Sequence, residues 1–149
     1  MSSRISSISY GYAVVGGCCI ALLLAFFPLN SRAATVEVTV KLTGAQEVPA
    51  VETQAQGEGT LKVDDDGSIS GTITTTNLTA TMAHIHQAPA GENGGVVIPL
   101  EQSGKDGWAV PADAQLTAEQ LKSFKAGDMY INVHSTAYPG GEIRGQIVP

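Results

Sequence analysis

Cysteine is the first shortage. The chain has 2 in 149 residues, Cys18 and Cys19, adjacent in a leading apolar stretch. Residues 34–149 hold none, which excludes a disulfide framework, a thiolate metal site and a cysteine nucleophile there. Basic residues are also few: Lys and Arg number 8 against 14 Asp and Glu, a formal net charge of −6. An acidic chain has the wrong sign to attract phosphate, so nucleic acid and anionic lipid are poor partners for it. The catalytic signatures are missing too. There is no Gly-x-Ser-x-Gly elbow, no Gly-rich phosphate loop and no spacing that pairs two carboxylates for acid–base work. The reading is therefore non-catalytic, and an enzyme would need a metal to supply its chemistry.

Long apolar runs are absent but for one. Arg4 lies in a short polar start, Tyr12 through Leu29 is apolar apart from Gly16 and Gly17, and Ser31-Arg32-Ala33 follows. A basic start, an apolar middle and a small-x-Ala ending are the pattern of a secretory signal cleaved after Ala33. Residues 1–33 are thus expected to be a signal peptide, with export to the periplasm or the extracellular space. The run is also about long enough, by the ~17–25 residues of a spanning helix, to stay uncleaved as an anchor. Val15-Gly16-Gly17-Cys18 resembles a lipoprotein box, but the strongest apolar stretch, Ile20 to Phe27, follows that cysteine rather than preceding it. Without Arg4 and Arg32, residues 34–149 carry six basic and fourteen acidic residues, a net charge of 6 − 14 = −8.

What is present after Ala34 is mostly period-2 alternation. Thr35 to Leu42 places Val36, Val38, Val40 and Leu42 on one face, as a half-buried strand does. Residues 59–64 and 68–76 read as a hairpin around Asp65-Asp66-Gly67, where Gly67 supplies positive φ. Asp64, Asp66 and Ser68 also match the start of a calcium loop, but its later Glu is missing and the turn accounts for them. Asn77-Leu78-Thr79 fits a glycosylation acceptor. Strands are expected at 82–86, 95–100, 129–134 and 142–148. One helix stands out: Thr117 and Gln120 form a capping box, Leu116 and Leu121 a hydrophobic staple, and Gly127 the stop. Seven or so strands, one helix in a connection and no βαβ alternation predict an all-β domain over residues 34–149. The architecture is an antiparallel Greek-key sandwich or barrel.

The sequence has 3 histidines. Residues two apart in a strand share a face. His84 and His86 therefore point the same way, with Met82 beside them, and Tyr130, Asn132 and His134 share a face of a second strand. In the last strand Glu142, Arg144 and Gln146 lie opposite Ile143 and Ile147. If these strands are neighbours, three imidazoles converge, a donor set suited to copper or zinc with a position left open. Met82 could add a soft ligand for Cu(I). Glu142 could be a fourth ligand or hold an imidazole tautomer, with Asn132 and Arg144 beside it. The plainer alternative is that the histidines hydrogen-bond loop carbonyls and brace the Pro89–Gly95 loop, while Glu142 and Arg144 form a cross-strand ion pair.

Five stretches in order carry a resemblance. They are Gly44-Ala45-Gln46-Glu47-Val48-Pro49, Ala83-His84-Ile85-His86, Gly94-Gly95-Val96-Val97, Tyr130 to Ser135, and Pro139-Gly140-Gly141-Glu142-Ile143-Arg144-Gly145-Gln146. Together they resemble the CHRD domain, named for repeats in the extracellular antagonist chordin and also found as single-domain exported bacterial proteins. Gln87 stands where a glycine often follows the second histidine. The resemblance implies an immunoglobulin-like β-sandwich. It names no activity. It leaves two functions open: a metal-binding domain, or a structural or protein-interaction module of the envelope or extracellular space with an unidentified protein partner. A looser likeness to copper/zinc superoxide dismutase fails on ligand count, since three histidines cannot build that enzyme's two metal sites. A membrane enters only if the leading segment stays uncleaved.

Overall fold

The computed structural model describes Gly11 and residues 34–149, so the expectations for the leading segment lie outside the described residues. Nine strands and one α-helix follow. They are β1 (Thr35–Thr43), β2 (Gln56–Asp64), β3 (Ile69–Thr76), β4 (Ala80–Gln87), β5 (Gly95–Pro99), β6 (Glu101–Gln102), β7 (Gly107–Ala109), α1 (Ala118–Ala126), β8 (Met129–Ser135) and β9 (Ile143–Ile147). Among the described residues no helix is long and apolar enough to cross a membrane.

All nine strands form one antiparallel sheet in the order β5-β4-β8-β9-β1-β2-β3-β7-β6. Its two ends are consecutive in the chain: Leu100 alone separates β5 from β6. The chain itself thus joins the two edges, and the sheet becomes a nearly closed barrel. Strand β3 lies beside β7, the last of the successive antiparallel pieces β4, β5–β6 and β7, which is a Greek key. The all-β expectation is borne out. The strands it lacked, β6 and β7, are too short to show a period.

Alternation decides what lies inside. Val38, Val40 and Leu42 of β1, Leu61 and Val63 of β2, and Ile131 and Val133 of β8 all join the core. Gly145 lets β9 approach β1, because a Cβ there would stand 2.6 Å from the Lys41 carbonyl oxygen. The helix is capped as expected: Thr117 accepts from the Gln120 N–H, Gln120 accepts in return, and Gly127 ends it at φ 79°. Its Phe124 is fully buried.

The Asp65-Asp66-Gly67 turn uses its carboxylates locally. Asp66 accepts from the Ser68 N–H at 2.9 Å and Asp65 pairs with Lys125 at 2.8 Å, while Asp64 accepts from Thr35. These contacts account for the three acids without a calcium ion.

Strand β8 is buried along its whole length. Its inner side chains meet the core. Its outer ones, Tyr130, Asn132 and His134, are covered by connections, with residues 44–55 contributing Glu47 and Thr53 and residues 88–94 contributing Pro89 to Gly94. The barrel therefore carries a polar layer outside one wall, and that layer is where the histidines are.

Candidate metal centre

Strand pairing brings the three histidines together. Across β4 and β8, Met82 faces His134, His84 faces Asn132 and His86 faces Tyr130. Across β8 and β9, Asn132 faces Arg144. Two irregularities frame the His84–His86 pair. Thr81 is an extra residue in β4, so that Met82 rather than Thr81 stands opposite His134, and Val97 is extra in β5 beside His86. Bulges recur beside functional sites because they re-aim a side chain.

Burial falls along one face of β4. His86 is 8% exposed, His84 is half-buried and Met82 is 46% exposed. The cluster thus opens to solvent at its Met82 end. His134 is as buried as His86, at 8%.

The protons can be assigned from partners. His134 Nδ1 lies 2.8 Å from the Pro139 carbonyl oxygen, so Nδ1 carries the hydrogen and Nε2 a lone pair. His84 Nδ1 sits 3.0 Å from that Nε2 and donates to it. His86 Nδ1 donates to the Gly94 carbonyl at 2.9 Å, which leaves its Nε2 as the lone-pair nitrogen, 3.1 Å from the Asn132 side-chain oxygen. Asn132 donates from its amide nitrogen to Glu47 at 3.3 Å. Burial pushes the Glu47 carboxyl above the ordinary range, though the Asn132 hydrogen bond and the Arg144 charge draw it down. Burial is also the main cause that holds His86 below its ordinary 6.5, with the His134 and Arg144 charges adding to it against the Gly94 and Asn132 hydrogen bonds. His84 is lowered by burial first and then by the charges of His134 and His86. Both are neutral imidazoles at pH 7, the form that binds metal.

The geometry comes near what one ion needs. Each histidine offers a nitrogen, and the three nitrogens lie within 4.8 Å of one another. Zinc–nitrogen bonds of about 2.0–2.1 Å set two tetrahedral ligands roughly 3.3 Å apart and allow no pair beyond about 4.2 Å. The 3.0 Å between His84 Nδ1 and His134 Nε2 is already of that order. His84 and His134 would hold an ion at the place of the shared proton, with the His84 N–H then carried on Nε2. Drawing in His86 requires its Nε2 to leave Asn132. Two of the three histidines have Nδ1 fixed on a backbone carbonyl, the usual outer support of a metal-binding imidazole.

The remaining sequence-level candidates fall elsewhere in the layer. Both Glu142 oxygens are taken, one by Thr53 at 2.7 Å and the other by Ser135, so Glu142 holds the 135–142 turn rather than an imidazole. No Glu142–Arg144 ion pair forms; the only two among the described residues are Lys62–Glu37 and Lys125–Asp65. Arg144, 1% exposed, donates to the Glu92 carbonyl at 2.8 Å, to Gln146 at 3.1 Å, and at 3.4 Å each to the Pro89 carbonyl and Asn93. Its guanidinium lies 3.5 Å from the centre of the Tyr130 ring. His86 stacks on the same ring at 4.8 Å and 5°. Tyr130 therefore links Arg144 of β9 to His86 of β4, and its hydroxyl accepts from the Gly94 N–H at 3.2 Å. Sequence reasoning placed Tyr130 on the right face but gave it no part, and it overlooked Glu47. Gly141 shows why that pair needs room: at φ 131° a Cβ would come within 2.3 Å of the Asn132 side-chain nitrogen and 2.6 Å of Glu47.

A family model described as the CHRD domain matches residues 38–147. No curated protein and no solved structure matches the chain.

Proposed function

The chain belongs to the CHRD domain family, and on that premise we propose that it is an exported, non-catalytic β-domain that binds one copper or zinc ion through His84, His86 and His134. The observation that carries this is the nitrogen set: three imidazoles with their nitrogens inside 4.8 Å, two of them fixed through Nδ1 on the Gly94 and Pro139 carbonyls. The His84–His134 contact of 3.0 Å joins two imidazoles to each other rather than to a loop, which favours a ligand between them. Export is supported by the leading pattern of Arg4, the apolar run and Ser31-Arg32-Ala33.

The test is titration of the purified protein with Cu(II) and Zn(II), beside a variant carrying both His84→Ala and His134→Ala. Saturable one-to-one binding by the wild type, lost in the variant, is expected. Equal and weak binding by both proteins would sink the proposal.

A second reading rests on one observation. Both His86 nitrogens already have partners, Gly94 and Asn132. On that reading the domain is a structural or protein-interaction module of the envelope or extracellular space, and the histidines hold loops. It gains if His84→Ala markedly lowers the melting temperature of metal-free protein, because His84 then braces structure instead of waiting for a ligand.

A further inference from the structure

We infer that the site holds copper in two oxidation states with two ligand sets, exchanging His86 for the thioether of Met82 when the ion is Cu(I). This rests on the metal reading above and deepens it by naming the metal. His84 and His134 are common to both sets, since they already stand 3.0 Å apart. His86 is the buried third partner and is held back on Asn132 at 3.1 Å. Met82 is the exposed one. It lies directly opposite His134 across the β4–β8 pair, on the face that carries His84. Side chains directly opposite have Cβ atoms about 4.5–5.5 Å apart, within reach of a flexible thioether.

Two features single Met82 out from an ordinary exposed apolar residue. The β4–β8 register runs unbroken from Met82 opposite His134 to Gln87 opposite Met129 and shifts only beyond Met82, at Thr81, so Met82 is the last residue held in the histidine row. Exposure is also concentrated here. Of the four exposed large apolar side chains among the described residues, Met82 and Tyr138 both belong to segments beside His134, Tyr138 preceding the Pro139 that holds its Nδ1. The chemistry then sorts the ions. A thioether is a soft ligand that favours Cu(I), imidazole suits Cu(II) and zinc, and zinc sites take thiolate, imidazole and carboxylate rather than thioether. Two imidazoles and a sulfur at the open end give Cu(I) a low-coordinate site without disturbing Asn132. Cu(II), which prefers nitrogen, draws His86 in.

The experiment compares wild type with Met82→Leu, an exposed position where the substitution leaves the fold intact. Cu(I) affinity is measured under reductant by competition with a coloured cuprous chelator, and Cu(II) and Zn(II) affinities by direct titration. The substitution should weaken Cu(I) binding at least about tenfold while moving Cu(II) and Zn(II) by less than about threefold. X-ray absorption of the Cu(I) protein should show a sulfur neighbour that disappears in Met82→Leu. Unchanged Cu(I) affinity and a copper surrounded only by nitrogen would overturn this inference and leave the metal reading standing. Failure of the wild type to bind any of the three ions would overturn both.

Discussion

Replacing Arg144 with lysine keeps the charge and removes the fork. The guanidinium reaches the Glu92 carbonyl, Gln146, Asn93 and the Pro89 carbonyl at once, while it covers the Tyr130 ring. An ammonium is a point with three donors and cannot span these acceptors. Losing one short charged hydrogen bond costs about 1.5–3 kcal/mol. Losing part of the cation–π contact, worth about 0.5–2 kcal/mol, brings the expected loss to roughly 2–4 kcal/mol. For a domain of this size that is a fall in Tm on the order of 8–16 °C. Urea unfolding measures it directly, because the single tryptophan, Trp108, is 5% exposed and its emission follows the barrel. The loss should be local before it is global. Amide exchange at Gly94, whose N–H bonds Tyr130, should accelerate ahead of exchange in β1 and β2. Because the Gly94 carbonyl orients His86, metal affinity should also fall, by about 10–100-fold. Arg144→Met is the control: a buried ion can often be replaced by an apolar side chain at little cost, but here the Pro89 and Glu92 carbonyls would lose their donors, so it should be worse than lysine. A lysine variant within about 1 kcal/mol of wild type, or a methionine variant as stable as wild type, would refute the claim that Arg144 pins this loop.

Further outcomes follow from the same layer and its support. His84→Ala should change the stability of metal-free protein by less than about 1 kcal/mol, since it breaks one half-exposed contact, yet abolish metal binding in titration. Acidification should destabilise the metal-free protein. His84 and His86 sit below their ordinary 6.5 when folded, so the unfolded chain binds more protons; their contribution is full above that value and is lost as pH falls through the lowered ones. Urea midpoints measured across that range should therefore drop. Glu47 acts in the other sense: its raised value favours the folded state at low pH and is lost as pH rises, so Glu47→Gln should steepen the acid decline. Gly141→Ala should separate Asn132 from Glu47 and lower Tm, read by thermal melting. Phe124→Ala, in the core, should cost about 3–5 kcal/mol by chemical denaturation without altering metal affinity.

Much of the barrel was legible because one-sided burial writes itself as period 2. Val36 to Leu42 and Ile131 with Val133 declare their inner face, and the same rule put His84 with His86 and Asn132 with His134. The capped helix was legible because Thr117, Gln120 and Gly127 act within a few residues of one another. What alternation cannot express is a second burial, of the outer face, by connections. Residues 44–55 look like an exposed loop, yet they carry Glu47 and Thr53 into the layer. Glu142 and Arg144, neighbours on paper, point at different partners because the turn before β9 takes Glu142 away to Thr53 and Ser135. The extra residues Thr81 and Val97 were invisible for a related reason: a bulge is defined by the partner strand, not by its own sequence.

The row that holds His84 also holds Asn132, Arg144 and Thr43, the last residue of β1. Thr35, where the chain enters the barrel, is eight residues earlier on that strand. At roughly 3.3 Å per residue it lies about 26 Å from the row, measured along the strand. Whatever precedes Thr35 is therefore attached at the far end from the imidazoles. The open, Met82 side of the histidine cluster thus lies at the other end of the barrel from the residue through which the chain enters it.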